Sequence, residues 1–284
     1  MDYTACIDRR KSIRNYKDKA IPAAVLEEIR SFLPKCHRLL PEIKWEARLL
    51  EKEAAQALSG AAGYKGFMIA APAYLLLLSE EKEHYIENAG YVGEDIVLKL
   101  TELGLASCWI TFGSADAVKA ALKIDSPLQA AGMIAFGYAA PIRESVRIDM
   151  KTLSDVEVRR ESGYSAPKLT VEDMVHLGEW GQRPNPFELA SDSLWPALYA
   201  ASRAPSYFNR QPVQFIVDGG QVVLVVHQSE ETACLDERLN AGIVMLHFAV
   251  LRKESDPNFR WVFGMPEKRY ALPAGYHALA WCVV

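Results

Sequence analysis

The sequence predicts an α+β fold: two interlocked halves, each with a central buried helix and mixed or antiparallel sheets. Three observations lead there. Helical and strand periodicities are mixed in a similar order along both halves of the 284 residues. Asn88-Ala89-Gly90 recurs as Asn240-Ala241-Gly242, each time opening an apolar helix, and Trp109 finds Trp261 at the same offset of 152. "AGMIA" from Ala131 and "AGYHA" from Ala274 share three of five residues at an offset of 143, which fits a shorter loop in the second copy.

Apolar spacing and breakers place the elements in order. The first half reads as helix at about Ala23–Phe32, strand Lys44–Leu50, helix Glu51–Ala61 and strand Ala73–Ser79. A long helix at Ala89–Leu103 and strands at Cys108–Phe112 and Ala131–Tyr138 complete it. After the charged stretch "RIDMKTLSDVEVRRESG" come helices at Val171–Gly178 and Leu194–Ala201, then strands at Gln214–Val217 and Gln221–His227. A helix at Ala241–Glu254 and strands at Arg260–Phe263 and His277–Val283 close the chain. The two repeated helices are apolar around most of their circumference and bury most simply against each other. The halves are therefore expected at residues 1–165 and 166–284, interlocked rather than strung on a linker.

Composition narrows the function. Half of the residues are hydrophobic and the net charge is −4, which suits a soluble globular chain and disfavours phosphate tracking on nucleic acid or a membrane surface. The first residues lack the apolar core of a signal peptide, and the longest apolar run, Met68–Leu78, is too short to span a bilayer, so a cytoplasmic protein is expected. Cys6, Cys36, Cys108, Cys234 and Cys282 are widely spaced without a C-x-x-C pair and are expected as buried small hydrophobes. Motifs of zinc proteases, serine hydrolases, Rossmann turns and P-loops are missing.

Near the start, "RRKSIRNY" places Arg10, Ser12 and Arg14 at alternating positions, which share one face of an extended segment. Two guanidinium forks flanking a hydroxyl suit a phosphate dianion, through charge-assisted hydrogen bonds of about 1.5 to 3 kcal/mol each when partly buried. A solvated basic segment would have the same sequence.

"RRKSIRNYKDKAIPAAVLEEI" resembles the opening of the FMN-dependent nitroreductases, with their R-x-S-x-R/K phosphate motif. "GYVGEDIVLKLTELGLASCWITF" is similar to that family's central helix and the segment after it, and "LKIDSPLQAAGMIAFGYAAP" to its later strand. "AASRAPSYFNRQPVQF" is similar to the family's A-x-x-APS-x-x-N-x-QPW-x-F, although Val213 stands in place of the tryptophan and the motif comes in the second half rather than after the first helix. Ordinary members are homodimers with flavin at the subunit interface. This chain therefore looks like the fused, internally duplicated subgroup, a pseudo-dimeric monomer with one FMN.

The resemblance implies roles. Arg10 and Ser12 would bind the FMN phosphate, helped by Lys151 or, second, Arg147. Arg14 would approach the pyrimidine edge of the ring, where a fixed positive charge raises the reduction potential. Lys65 would be another ring contact, and Pro205, Ser206, Asn209 and Gln211 would meet the cofactor from the other half. Backbone groups of Ile110, Thr111 and Phe112 would face the reactive edge, and Trp109 is placed with the cofactor-binding residues, with core packing as its other reading. The implied activity is oxidoreduction from NADH or NADPH to a nitroaromatic, quinone or similar flat acceptor by a ping-pong scheme that needs no metal and no side-chain acid or base. A flavin carrier or sensor with little turnover is the alternative, and a non-catalytic partner-binding descendant stands below that.

Overall fold

A computed structural model describes residues 1–64, 68–141, 145–152, 155–161, 166–185, 193–228 and 234–284. The chain opens with a short helix, α1 (Tyr3–Arg9), whose N-terminus is capped by Asp2, followed by an extended segment and α2 (Ala23–Phe32). Next come β1 (Trp45–Glu51), the single turn α3 (Ala54–Ala57) and β2 (Ala73–Ser79). α4 (Tyr85–Glu102), β3 (Ala106–Ile110), α5 (Ala115–Ala121) and β4 (Gln129–Gly137) complete the first sheet, ordered β1-β2-β4-β3 and antiparallel throughout. All seven residues of β2, "AYLLLLS", are buried, as a continuous apolar run in a central strand should be.

Two antiparallel strands, β5 (Ser145–Thr152) and β6 (Asp155–Glu161), pair with each other in the region of the charged stretch. No element is expected there, although Val146, Ile148 and Met150 alternate with polar and charged neighbours as strand residues do. The second sheet is built from β7 (Val175–Leu177), which follows the single turn α6 (Val171–Met174), then β8 (Val213–Asp218) and β9 (Gln221–His227), which follow α7 (Trp195–Ser202). After α8 (Cys234–Ser255) it gains β10 (Val262–Phe263) and β11 (Tyr276–Val283), in the order β10-β11-β9-β8-β7, with only the β7–β8 pair parallel.

Most expected elements recur within a few residues. The helix expected over Val171–Gly178 breaks at Met174, because Val175–Leu177 find backbone partners in Phe215–Val217, a pairing that local propensity cannot foresee. The helix expected over Glu51–Ala61 shrinks to one turn, with β1 running on through Glu51 and Gly60 at φ +84° ending it. Helices α1 and α5 were not expected.

α4 and α8 pack against each other between the two sheets, and nearly every residue of α4 from Ile86 to Leu100 is buried. α4 ends in a Schellman turn: Gly104 sits at φ +74°, its N–H bonds the Thr101 carbonyl and Leu105 N–H bonds that of Leu100. Two glycines let the helices touch backbone to backbone. A Cβ on Gly90 would strike the carbonyl oxygen of Leu239, and a Cβ on Gly242 that of Glu87. These contacts exchange with each other under the offset of 152, as in an isologous interface. The repeated asparagines behave alike: Asn88 Oδ1 accepts from Leu39 and Leu40 N–H, and Asn240 Oδ1 from Tyr207 N–H. Among the described residues no helix is long and apolar enough to cross a membrane.

Candidate functional site

Beyond α1 the backbone is extended, as the alternation in "RRKSIRNY" requires. Ser12 forms a parallel bridge with Ser107 of β3, and Ile13 N–H bonds the Ser107 carbonyl at 2.9 Å. This strap brings Arg10, Ser12 and Arg14 to a cleft of about 550 Å³ whose opposite wall is Pro167, Lys168, Arg203, Pro205, Ser206, Phe208 and Asn209. The two motifs, almost two hundred residues apart in sequence, face each other. A narrow inner cavity of about 50 Å³ continues from it, lined by Ser12, Arg14, Tyr64, Cys108 to Thr111, Pro205 to Tyr207, Asp236 and Asn240 among others.

The cleft is strongly basic. Arg10, Lys11, Arg14, Lys168 and Arg203 line it against one carboxylate, Asp8. Burial lowers the Arg10 pKa, opposed by Glu94 and reinforced by Arg203. Burial first, then the charges of Arg10 and Arg203, bring Lys168 down to about 8, while its Nζ donates to the Ala204 carbonyl at 2.6 Å. Arg10 Nε is buried with no hydrogen-bond partner, at 3.7 Å from Glu94 Oε1. Cations crowded at this density, with an unsatisfied buried donor, are chemically suited to a multivalent anion.

Glu94 sits under Arg10 and is wholly buried. Trp109 Nε1 donates to its Oε2 at 2.7 Å, and His247 Nε2 lies 3.0 Å from its Oε1. His247 Nδ1 faces the Ala200 carbonyl at 2.9 Å, which only accepts, so Nδ1 carries a hydrogen.

The loop after α7 is held by polar bonds. Gln211 N–H donates to Ser206 Oγ, Leu169 N–H donates to Gln211 Oε1, and Asn209 Nδ2 donates to the Pro167 carbonyl at 2.7 Å. Phe208, Asn209 and Gln211 all have positive φ, between 48° and 56°. Gln211 is thus a fastener of the loop and lines neither of the two cavities, while Asn209 lines the outer cleft. Val213 is buried in the core of the second half.

At the inner end, Thr111 Oγ1 donates to Asp236, 2.8 Å from each carboxylate oxygen. Burial, and secondarily Glu237, push the Asp236 carboxyl up to about 6, against the lowering effect of that hydroxyl. Trp109 packs its ring over Gly93 and Gly132, where a Cβ would strike it, as a core residue does. Ile110 and Thr111 line the inner cavity, whereas Phe112 is buried in the core of the first sheet and lines neither space. Lys65 lies outside the described residues, and so do the side chains of Lys151 and Arg147 on β5. Lys168 and Arg203 are the cations the sequence reading missed. Arg203 stood directly before the Ala-Pro-Ser motif and could have been found there, but nothing local to "APKLT" marks Lys168. Among the described residues no cluster of metal ligands occurs, and Cys6, Cys36, Cys108 and Cys282 are free and buried.

Two sheets clamped around a pair of crossing buried helices, with a basic cleft fed by both halves, are the frame of a nitroreductase-fold oxidoreductase. The chain belongs to the family described as "Putative TM nitroreductase", whose model matches residues 2–171. Its fold is shared with a "putative nitroreductase" from Thermotoga maritima msb8, at a TM-score of 0.58 and 17% identity over 100% of this chain and 94% of that chain. An "FMN-dependent Nitroreductase" from Clostridium difficile R20291 overlaps 49% of this chain and 88% of its own at 25% identity, with a TM-score of 0.42. No curated protein matches the sequence.

Proposed function

We propose that the cleft binds FMN and that the protein passes electrons from NADH or NADPH to a small, flat acceptor such as a nitroaromatic or quinone. The observation that carries this reading is the convergence of Arg10 and Ser12 from the first half with Lys168, Arg203 and Ser206 from the second around one cleft. An anion bearing a phosphate suits the buried unpartnered Arg10 Nε and the cations around it. When bound, FMN supplies the redox chemistry, accepting a hydride equivalent and releasing electrons to the acceptor in a ping-pong scheme.

The chain's own residues bind and orient. Arg10, Lys168 and Arg203 would neutralise the phosphate, with Ser12 and Ser206 adding hydroxyl donors. Arg14, 5.7 Å from the Tyr64 ring centroid, stands at the inner cavity, where a fixed cation would favour electron uptake. Ile110, Thr111 and Asn240 line the cavity's inner wall and would keep bulk water from the reactive edge.

The same proposal takes the halves as copies, residues 1–165 and 166–284, that fold as a pseudo-dimeric monomer with a single site in the cytoplasm. The second copy lacks the arginine motif, and the offset of 152 that relates Gly90 to Gly242 carries the Thr111–Asp236 pair onto Phe263 and His84. Those two rings stack at 3.7 Å, 6° from parallel, filling the equivalent space.

Absorbance spectra test the reading. Protein incubated with FMN and desalted is expected to keep a flavin spectrum, bleach with NADH or NADPH and recover with a quinone or nitroaromatic. Retained flavin without bleaching would instead indicate a carrier or sensor, and no retained flavin would sink both. FMN binding should also follow Lys168. An anion favours its protonated form, so affinity is expected to fall as pH rises through about 8, while riboflavin, which has no phosphate, keeps its affinity. Titrations on both sides of that value decide it, and parallel pH profiles for the two flavins would contradict the assignment.

A further inference from the structure

We propose that Phe208 is the specificity-determining residue for the acceptor, stacking on flat, electron-poor rings at the mouth of the cleft. This rests on the flavin reading above. Phe208 is 65% exposed, the most exposed aromatic among the described large apolar residues that reach solvent. Its backbone is left-handed, φ 48° and ψ 23°, a conformation unfavourable for a bulky side chain and maintained only when surrounding bonds enforce it. Those bonds are present on both sides: Tyr207 N–H to Asn240 Oδ1, Asn209 Nδ2 to the Pro167 carbonyl, and Gln211 N–H to Ser206 Oγ. The fold therefore sustains strain to keep an aromatic ring in water instead of in the core.

The ring's neighbours set what it can take. Tyr207 lies edge-on to it at 4.5 Å and Tyr64 at 5.9 Å, and Tyr64 and Tyr207 are nearly parallel at 6.4 Å. Tyr64 and Tyr207 line the inner cavity, whereas Phe208 lines only the outer cleft. Phe208 thus stands on the wall of the larger space, where a molecule that enters and leaves at each turnover would meet its ring, beside the cations proposed to hold the cofactor's phosphate. The electron-rich face of a phenyl ring prefers electron-poor partners, and stacking discriminates flat rings from compact ions.

The test is Phe208→Ala in the FMN-loaded protein, titrated calorimetrically with neutral 4-nitrobenzamide without NADH, so that nothing turns over. Binding is expected to weaken about tenfold, with Phe208→Trp restoring it. In steady state the KM for 4-nitrobenzamide should rise by a similar factor, and that for ferricyanide, which has no ring to stack, should not move. Equal weakening toward ferricyanide, unchanged 4-nitrobenzamide binding, or a loss confined to NADH would each overturn the proposal. Because Phe208 is exposed, the substitution leaves the core intact. Wild-type protein that takes up no FMN overturns the flavin reading and this proposal together, whereas FMN uptake with unchanged 4-nitrobenzamide affinity overturns this proposal alone.

Discussion

Gly242→Ala is expected to lose most of the stability of the fold. In an ordinary helix the same change gains up to about 1 kcal/mol from propensity. Here the new methyl would overlap the Glu87 carbonyl oxygen and lie 2.8 Å from its carbon and 3.0 Å from its Cα. Those atoms belong to the backbone of α4, which cannot rotate aside, so α4 and α8 must separate along their buried length. Overpacking of a core costs about 1 to 3 kcal/mol where side chains can yield, and more where backbone blocks backbone, against a total of about 5 to 15 kcal/mol. Gly90→Ala meets the reciprocal obstacle at Leu239 and should behave alike. Gly113, whose added Cβ would meet open space, is the control, expected within about 0.5 kcal/mol of wild type. Denaturant unfolding of the three variants checks this, and near-neutral results at both Gly90 and Gly242 would contradict the close crossing.

Arg10→Ala is expected to weaken FMN about ten- to a hundredfold and riboflavin hardly at all. The guanidinium is backed by a buried carboxylate, with its Nε 3.7 Å from Glu94 Oε1. Loss of its charge-assisted bonds to a phosphate corresponds to about 1.5 to 3 kcal/mol. The fold should survive, since Glu94 keeps Trp109 and His247 as partners. Parallel fluorescence titrations with the two flavins separate the effects. Equal losses for both would mean that Arg10 supports the structure rather than the phosphate, and no loss for FMN would remove Arg10 from the site.

Much of this site could be read from local patterns. The alternation of Arg10, Ser12 and Arg14 needed only an extended backbone, and the bridge of Ser12 to Ser107 supplies it. The Ala-Pro-Ser turn declared a rigid polar loop, and the loop is indeed pinned by Ser206, Asn209 and Gln211. Less legible was the division of labour inside it. Gln211 and Asn209 have similar side chains and both have positive φ, yet Asn209 lines the outer cleft while Gln211 Oε1 accepts from the Leu169 amide. Lys168 has no sequence signature since its role comes from standing beside Arg10 and Arg203, residues distant along the chain.

The sequence by itself determined most of the elements, the two apolar helices that each open on Asn-Ala-Gly, and the alternation of Arg10, Ser12 and Arg14. Periodicity and residue type are local properties, written within a few turns of chain. Only the tertiary structure decided which cations share a cleft, that β7 is a strand, that His247 meets the buried Glu94, and that the rings of His84 and Phe263 stack. Each of these depends on charges and surfaces brought together by the α4–α8 crossing, and their energies depend on distance and burial, which do not exist until the chain has folded.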